Sequence, residues 1–514
     1  MIRAREPSWG RWTLWASCGL AVLRLLYATR VELAPQEAYY WQYARHLDLS
    51  YFDHPPMTAW LIALSVRLLG VSELGIRLPA VLSSLALTGL LYSLGARLYS
   101  PVVGAVTALT ANATVLFGLG AVVMTPDVPL VLFWAASLRV LCELVLPDGA
   151  GAGRSGFRWY LLGLLCGLAL LSKYTAALLP PQILVTALGF PRGRAALRTP
   201  HPYLALAVSF LVFSPVLIWN AHHGWASFAF QTQGRIETVH GLQPFLTGRY
   251  LGLQAVAVGP LLYVALLVSA GLLVHRALQG DPRARVLCLA SLPGLVLFSV
   301  VSPWHWVKMN WVAPAYLGVL VATAASWCDP KRGMWGRGYA YLSVSTGAVL
   351  ALGMYLMPLC PFIPFRERDN LVSGWRELAS EVQRYREQSP AGQPPPLVVG
   401  WGYKTASELA FYLPDHPETQ SDSALGKPGL AYDFWLDSVR EGQDAIIVAD
   451  DRQPLRDAPT RLQSVCTAVH ALAPVTVHRG ERPVTTFQLW YCQHWHLPGP
   501  PREHLTLQAP GART

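Results

Sequence analysis

The sequence predicts an α-helical polytopic membrane protein of about eleven transmembrane helices, closed by a small C-terminal α/β domain. Three observations carry that prediction. The 514 residues are 53% hydrophobic and only 14% charged, where soluble domains carry roughly 25%. Apolar runs of spanning length recur as far as residue 358 and then stop. Basic residues fall at every second exit from those runs.

The candidate spans are 12–29, 78–97, 102–121, 128–146, 159–176, 178–191, 203–219, 250–274, 286–303, 311–327 and 339–358. Pro180-Pro181 interrupts the pair across 159–191. The stretch 57–70 is too short to span, carries Arg67, and reads as an interfacial helix. Arg3, Arg5 and Arg11 precede the first span, and Arg97 follows the second. Arg154 and Arg158, then Arg192, Arg194 and Arg198, then Arg276, Arg283 and Arg285, then Lys331, Arg332 and Arg337 mark the later even-numbered exits. Cations gather on the cytoplasmic side of a membrane protein, so the N-terminus is expected inside. An odd number of spans then places residues 361–514 outside the cytoplasm. The first run lacks a small-residue cleavage site and reads as an uncleaved anchor. Within spans, Arg24 sits near an outer end and can snorkel, while Arg139 and Glu143 are spaced to pair on one helix face.

Two units follow: a membrane module over 1–360, with its first outer loop at 30–77, and an α/β domain over 361–514. In the second, 367–387 reads as an amphipathic helix, LVVG and DAIIVAD as buried strands, and KTASELAFYL as a helix. Cys466 and Cys492 lie there and are able to pair in an oxidising compartment. The net charge of +10 comes without a basic cluster interleaved with aromatics, so nucleic acid is not an expected partner. The lipid bilayer is.

Chemistry-bearing residues crowd the outer loops. In the first loop, Pro35 starts a helix with Glu37 in its first turn, where a carboxylate suits the helix dipole. Glu37, Tyr40 and Trp41 share a face, and the aromatics suit the headgroup zone. Asp53 and His54 follow, stiffened by Pro55-Pro56. Asp127 opens the fourth span, as an N-cap or as another carboxylate of the same cavity. Lys173-Tyr174, Arg235 and Lys308 mark other outer ends, where cations suit a phosphate. No histidine spacing supports a metal site; a divalent ion on Asp53 and scattered histidines is the weaker alternative.

Gln36-Glu37-Ala38-Tyr39-Tyr40-Trp41 and Tyr51-Phe52-Asp53-His54-Pro55-Pro56-Met57 resemble the superfamily of dolichyl-phosphate-mannose protein mannosyltransferases and aminoarabinose transferases. These are membrane glycosyltransferases of GT-C fold, and the bacterial family 39-like branch is the nearest in look. Arg77-Leu78-Pro79, Thr125-Pro126-Asp127, Ser172-Lys173-Tyr174 and Ser407–Tyr412 add weaker matches, over about residues 30–415. The resemblance implies a polyprenyl-phosphate sugar donor, an acceptor outside the cytoplasm, and location in a bacterial inner membrane. It also implies a first-loop carboxylate as general base. The family's usual Asp-Glu pair is Gln36-Glu37 here, so Glu37, Asp53 and Asp127 all stand as catalytic candidates. His54 takes the place of a family lysine near the donor phosphate. His54, Arg77, Lys173, Arg235 and Lys308 are the expected phosphate-binding set, and Tyr40, Trp41 and Tyr174 the expected sugar-facing aromatics. The competing reading is a transporter or lipid flippase. That would call for ionisable groups at mid-membrane and a repeated half, and the sequence displays neither.

Overall fold

The structure, a computed structural model, describes residues 8–146, 155–234, 241–361, 372–389, 393–435, 441–456 and 458–496. Arg235 and residues 367–371 of the expected amphipathic helix lie outside them. Helix α1 (Trp9–Ala28) leads into a short helix α2 (Pro35–Arg45), then α3 (Met57–Leu69) and the long α4 (Glu73–Leu98). Ser72 caps α4 by accepting the Gly75 N–H at 3.1 Å. Helices α5 (Pro101–Asn112), α6 (Val115–Gly120), α7 (Asp127–Val145) and α8 (Ser155–Ser172) follow. A 3-10 turn at Tyr174–Leu178 separates α8 from α9 (Leu179–Leu188) and α10 (Pro191–Ala196). Beyond α11 (His201–His222) and α12 (Ala226–Ala229) come α13 (Pro244–Val258), α14 (Pro260–Leu278), α15 (Pro282–Val301), α16 (Ala313–Trp327) and α17 (Met334–Leu359).

Seven of the described helical stretches are long and apolar enough to cross a membrane: α4, α7, α11, α14, α15, α17, and Met309–Trp327, which contains α16. The other expected spans are α1 or shorter pieces. The expected 250–274 span is broken at Gly259, whose φ of +95° precedes Pro260. A side chain there would meet the Gly347 backbone at 3.1 Å, so the break is also a close helix contact. The 102–121 span breaks at the Thr114 cap, which accepts the Phe117 N–H. Leu68, Leu211 and Val349 are among the large apolar side chains left 67–73% exposed, as lipid-facing positions require. Arg139 and Glu143 do pair, at 2.5 Å, and Arg158 joins them at 3.1 Å. Arg24 is buried and donates to Ser84 at 3.3 Å rather than reaching outward.

The C-terminal domain is α/β. Its helices are α18 (Trp375–Arg386), α19 (Tyr403–Tyr412) and α20 (Ala458–Gln463). Its strands are β1 (Leu397–Gly400), β2 (Thr419–Gln420), β3 (Ala445–Asp450), β4 (Cys466–Ala471), β5 (Val475–Arg479) and β6 (Arg482–Trp495). They lie in the order β2-β1-β3-β6-β4, with β5 on β6. The three strands β2, β1 and β3 are parallel, and β6 runs against β3. β1 and β3 are buried throughout, which is why both read as unbroken apolar runs. Cys466 and Cys492 form a disulfide between β4 and β6.

The domain packs on the first loop. α19 lies on α2, and Leu33, Tyr39, Trp41, Ala406 and Phe411 share one core. The sequence placed one face of α2 in the headgroup zone. In the structure every residue from Glu37 to Tyr43 is buried, because α19 covers the face that α3 and α4 leave open.

Candidate active site

Glu37 and Arg77 meet at the foot of α2, both almost fully buried. Arg77 donates from Nε to both Glu37 oxygens at 3.1 and 3.2 Å and from Nη2 to Oε2 at 2.7 Å. The Ala34 N–H donates to Oε2 at 3.0 Å and the Met124 N–H to Oε1 at 3.1 Å. The rest of the guanidinium is committed to the carbonyls of Ala28, Val31 and Glu32. All five guanidinium N–H groups of Arg77 are thus taken, and each Glu37 oxygen accepts at least two donors. The pair ties the first loop to α4 and to the chain just before α7. Glu37, expected as a catalytic candidate, and Arg77, expected to bind phosphate, are here bound to one another.

Asp53 is placed differently. It is 4% exposed, and α2 presents two phenols to it. Tyr39 donates to Oδ1 at 3.2 Å, and Tyr43 donates to the same oxygen. Tyr39 and Tyr43 are one helical turn apart, so both reach one point. Burial, and then the charge of Asp53, push both phenols up, so they remain protonated donors at neutral pH. On the other side, His54 Nε2 stands 3.9 Å from Oδ2. The His54 ring packs edge-on against Tyr40. Gln231 fixes the Asp53 backbone carbonyl at 2.8 Å. Sequence reasoning missed Tyr39, Tyr43 and Gln231; the i, i+4 spacing of the two tyrosines was the available signal.

Asp127 is the first residue of α7 rather than its cap. Its carboxylate accepts Lys173 Nζ at 2.7 and 2.9 Å and Asn310 Nδ2 at 2.6 Å. Of the two expectations for Asp127, the N-cap is not met, since Pro126 holds the cap position and the Asp127 carboxylate turns to Lys173 and Asn310. Tyr174, next to Lys173, shares a short hydrogen bond with Ser227 at 2.5 Å and lies within electrostatic reach of Asp53. Lys308 is exposed, two residues before Asn310. Tyr40 and Trp41 are buried, at 7% and 2%, within the α2–α19 core, and Tyr40 packs against His54.

An apolar cavity of about 260 Å³ lies within the helices. Trp134, Leu178, Val185, Leu297, Phe298 and Trp311 are among its walls. Leu178 and Thr175, which also lines it, come from the turn between α8 and α9. Among the described residues no group of three or more His, Cys, Asp or Glu side chains is arranged to hold a metal ion.

Residues 53–219 match the family described as dolichyl-phosphate-mannose-protein mannosyltransferase. The chain is 28% identical over 338 residues to the lipid A galacturonosyltransferase RgtD of Rhizobium johnstonii, covering 64% of this chain and 66% of that one. It is 26% identical to the undecaprenyl phosphate-alpha-4-amino-4-deoxy-L-arabinose arabinosyl transferase of Pectobacterium carotovorum, over 63% of this chain and 58% of that one. The chain thus spans a little under two thirds of each curated relative. Its fold is similar to that of ArnT from Cupriavidus metallidurans bound to undecaprenyl phosphate, with a TM-score of 0.62 at 16% identity, covering 92% and 97% of the two chains. Part of its sequence and its overall fold are thus similar to those of membrane glycosyltransferases. The archaeal oligosaccharyltransferase AglB from Archaeoglobus fulgidus is a more distant likeness of fold, at a TM-score of 0.51 and 11% identity, covering 88% and 72%. In this chain Asp53, His54, Tyr39 and Tyr43 meet around the first loop.

Proposed function

We propose that this chain transfers a sugar from a polyprenyl-phosphate donor to an acceptor hydroxyl outside the cytoplasm, with Asp53 as general base. The observation that carries the reading is the Asp53 carboxylate, clamped on one oxygen by Tyr39 and Tyr43 and flanked on the other by His54. Relatives named for lipid A and for undecaprenyl-phosphate aminoarabinose support the donor class. The acceptor O–H bond breaks as its oxygen bonds to the anomeric carbon. The proton passes to Asp53, and the bond from the anomeric carbon to the phosphate oxygen breaks with its electrons on the leaving polyprenyl phosphate. A positioned base of this kind contributes about 10²–10⁴-fold. Lys173, held by the Asp127 carboxylate that Asn310 also reaches, is the cation for the leaving phosphate, with the exposed Lys308 as a second. The cavity suits the first isoprene units of the tail.

The test is transfer by purified protein in liposomes, using undecaprenyl-phosphate galacturonic acid and lipid A. Asp53→Asn is expected to lose at least about 100-fold in kcat while melting within about 2 °C of the wild type. Full activity in Asp53→Asn removes it as the base. A single displacement also inverts the anomeric centre, and an NMR spectrum of retained product would exclude that course.

A further inference from the structure

Glu408 has no part in that chemistry, and its setting is unusual. It sits mid-way along α19 with no solvent exposure. Neither carboxylate oxygen has a hydrogen-bond partner among the described residues. An ionised carboxylate without partners in such a place is costly by several kcal/mol, so a buried acid of this kind holds its proton.

The groups around it make ionisation harder still. From the segment leading into α2 and from α2 itself come Glu32 and Glu37, and from α4 come Glu73 and Arg77. Arg77 is the nearby cation, and it is already committed to Glu37 and three carbonyls. Arg376, on α18, is engaged by Glu73 and lies 3.8 Å from Glu32. Arg386, also on α18, is held by Asp415 at 2.7 and 2.8 Å. β1 and β2 bring no charged side chain. On α19 itself, Lys404 stands one turn earlier but makes no bond to Glu408. Tyr412 spans the same interface, accepting the Leu33 N–H at 2.7 Å and donating to Glu73 at 3.3 Å.

We propose that Glu408 is a proton-operated latch, whose neutral carboxyl lets the C-terminal domain dock on α2 and whose ionisation loosens that docking. Burial, joined by the charges of Glu32 and Glu37, holds the carboxyl well above the usual carboxylate range. Its docked value is raised, so docking is strongest below the ordinary carboxylate value. It weakens about tenfold per pH unit as pH rises from there toward the docked value. The latch matters to the site because α2 carries Tyr39 and Tyr43, and the domain's Ala431 N–H donates to Tyr39 at 3.1 Å. A periplasm that turns alkaline would slacken the helix that aims Asp53.

The test needs no turnover and is independent of the glycosyltransferase reading. Hydrogen exchange by mass spectrometry on the full chain in nanodiscs gives protection factors for residues 35–45 and 403–412 across pH 5–9. In the wild type these are expected to fall about tenfold per pH unit over part of that range. In Glu408→Gln and in Glu408→Leu they are expected to stay flat. Equal pH dependence in wild type and both variants overturns the latch. So does failure of both variants to fold, because a neutral side chain of similar size is what the latch requires.

Discussion

Replacing Glu37 by glutamine separates a structural acid from a catalytic one. The wild-type carboxylate receives Arg77 and two backbone N–H groups inside a site from which water is excluded. Glutamine keeps one acceptor oxygen but removes the charge that compensates Arg77. Its amide also sets a second donor against donors. Breaking one side of a buried pair costs about 3–5 kcal/mol. At about 2 °C per kcal/mol for a large chain, the melting temperature should fall by about 6–10 °C. Arg77→Lys should fall nearly as far, since an ammonium cannot reproduce the planar fork that serves Glu37 and three carbonyls at once. The assay is intrinsic-fluorescence melting in detergent, paired with transfer rates measured well below the lower melting temperature. There, Glu37→Gln should keep transfer within about tenfold of the wild type if Asp53 is the base, as proposed. A variant with the wild-type melting temperature and a 100-fold loss of transfer would refute this reasoning and restore Glu37 as the proton acceptor.

Three further outcomes follow from single contacts. Lys173→Ala should weaken binding of undecaprenyl phosphate by about 10–100-fold in a labelled-lipid assay, the worth of one charge-assisted hydrogen bond, whereas Asp127→Asn should weaken it less. Replacing Cys466 and Cys492 by serine opens a loop of sequence separation 26 and should destabilise the C-terminal sheet by about 3 kcal/mol, read by proteolysis of the β4 and β6 strands. Asp433, whose carboxyl burial pushes up to about 6, accepts the Gly429 N–H at 2.8 Å. Its raised value means the turn is most stable below the ordinary carboxylate range and loses stability as pH rises to about 6, then levels. Exchange protection at Gly429 should follow that course and lose its pH dependence in Asp433→Asn.

Much of the fold was legible because a bilayer constrains sequence severely. Arg139 and Glu143 announced their pairing by i, i+4 spacing, and LVVG and AIIVAD announced buried strands, which the structure pairs in parallel. Span lengths were less legible. A run such as 250–274 is apolar throughout, yet Gly259 and Pro260 break it, and hydropathy does not register a backbone turn. α2 misled for a similar reason. Its tyrosines and tryptophan suit either a membrane surface or a protein core, and a domain that follows some 360 residues later decides between them.

The sequence by itself determined that this is a multi-pass membrane chain with an α/β domain. It also determined that the first loop carries the acids, since composition, periodicity and a short motif are local properties. Only the tertiary structure decided which groups each acid meets. Glu37 is joined to Arg77 across 40 residues, Asp53 to Tyr39 across 14, and Asp127 to Lys173 across 46. A carboxylate becomes a structural anchor or a base according to how many donors reach it and how much water is left. Both are settled by neighbours distant in the chain.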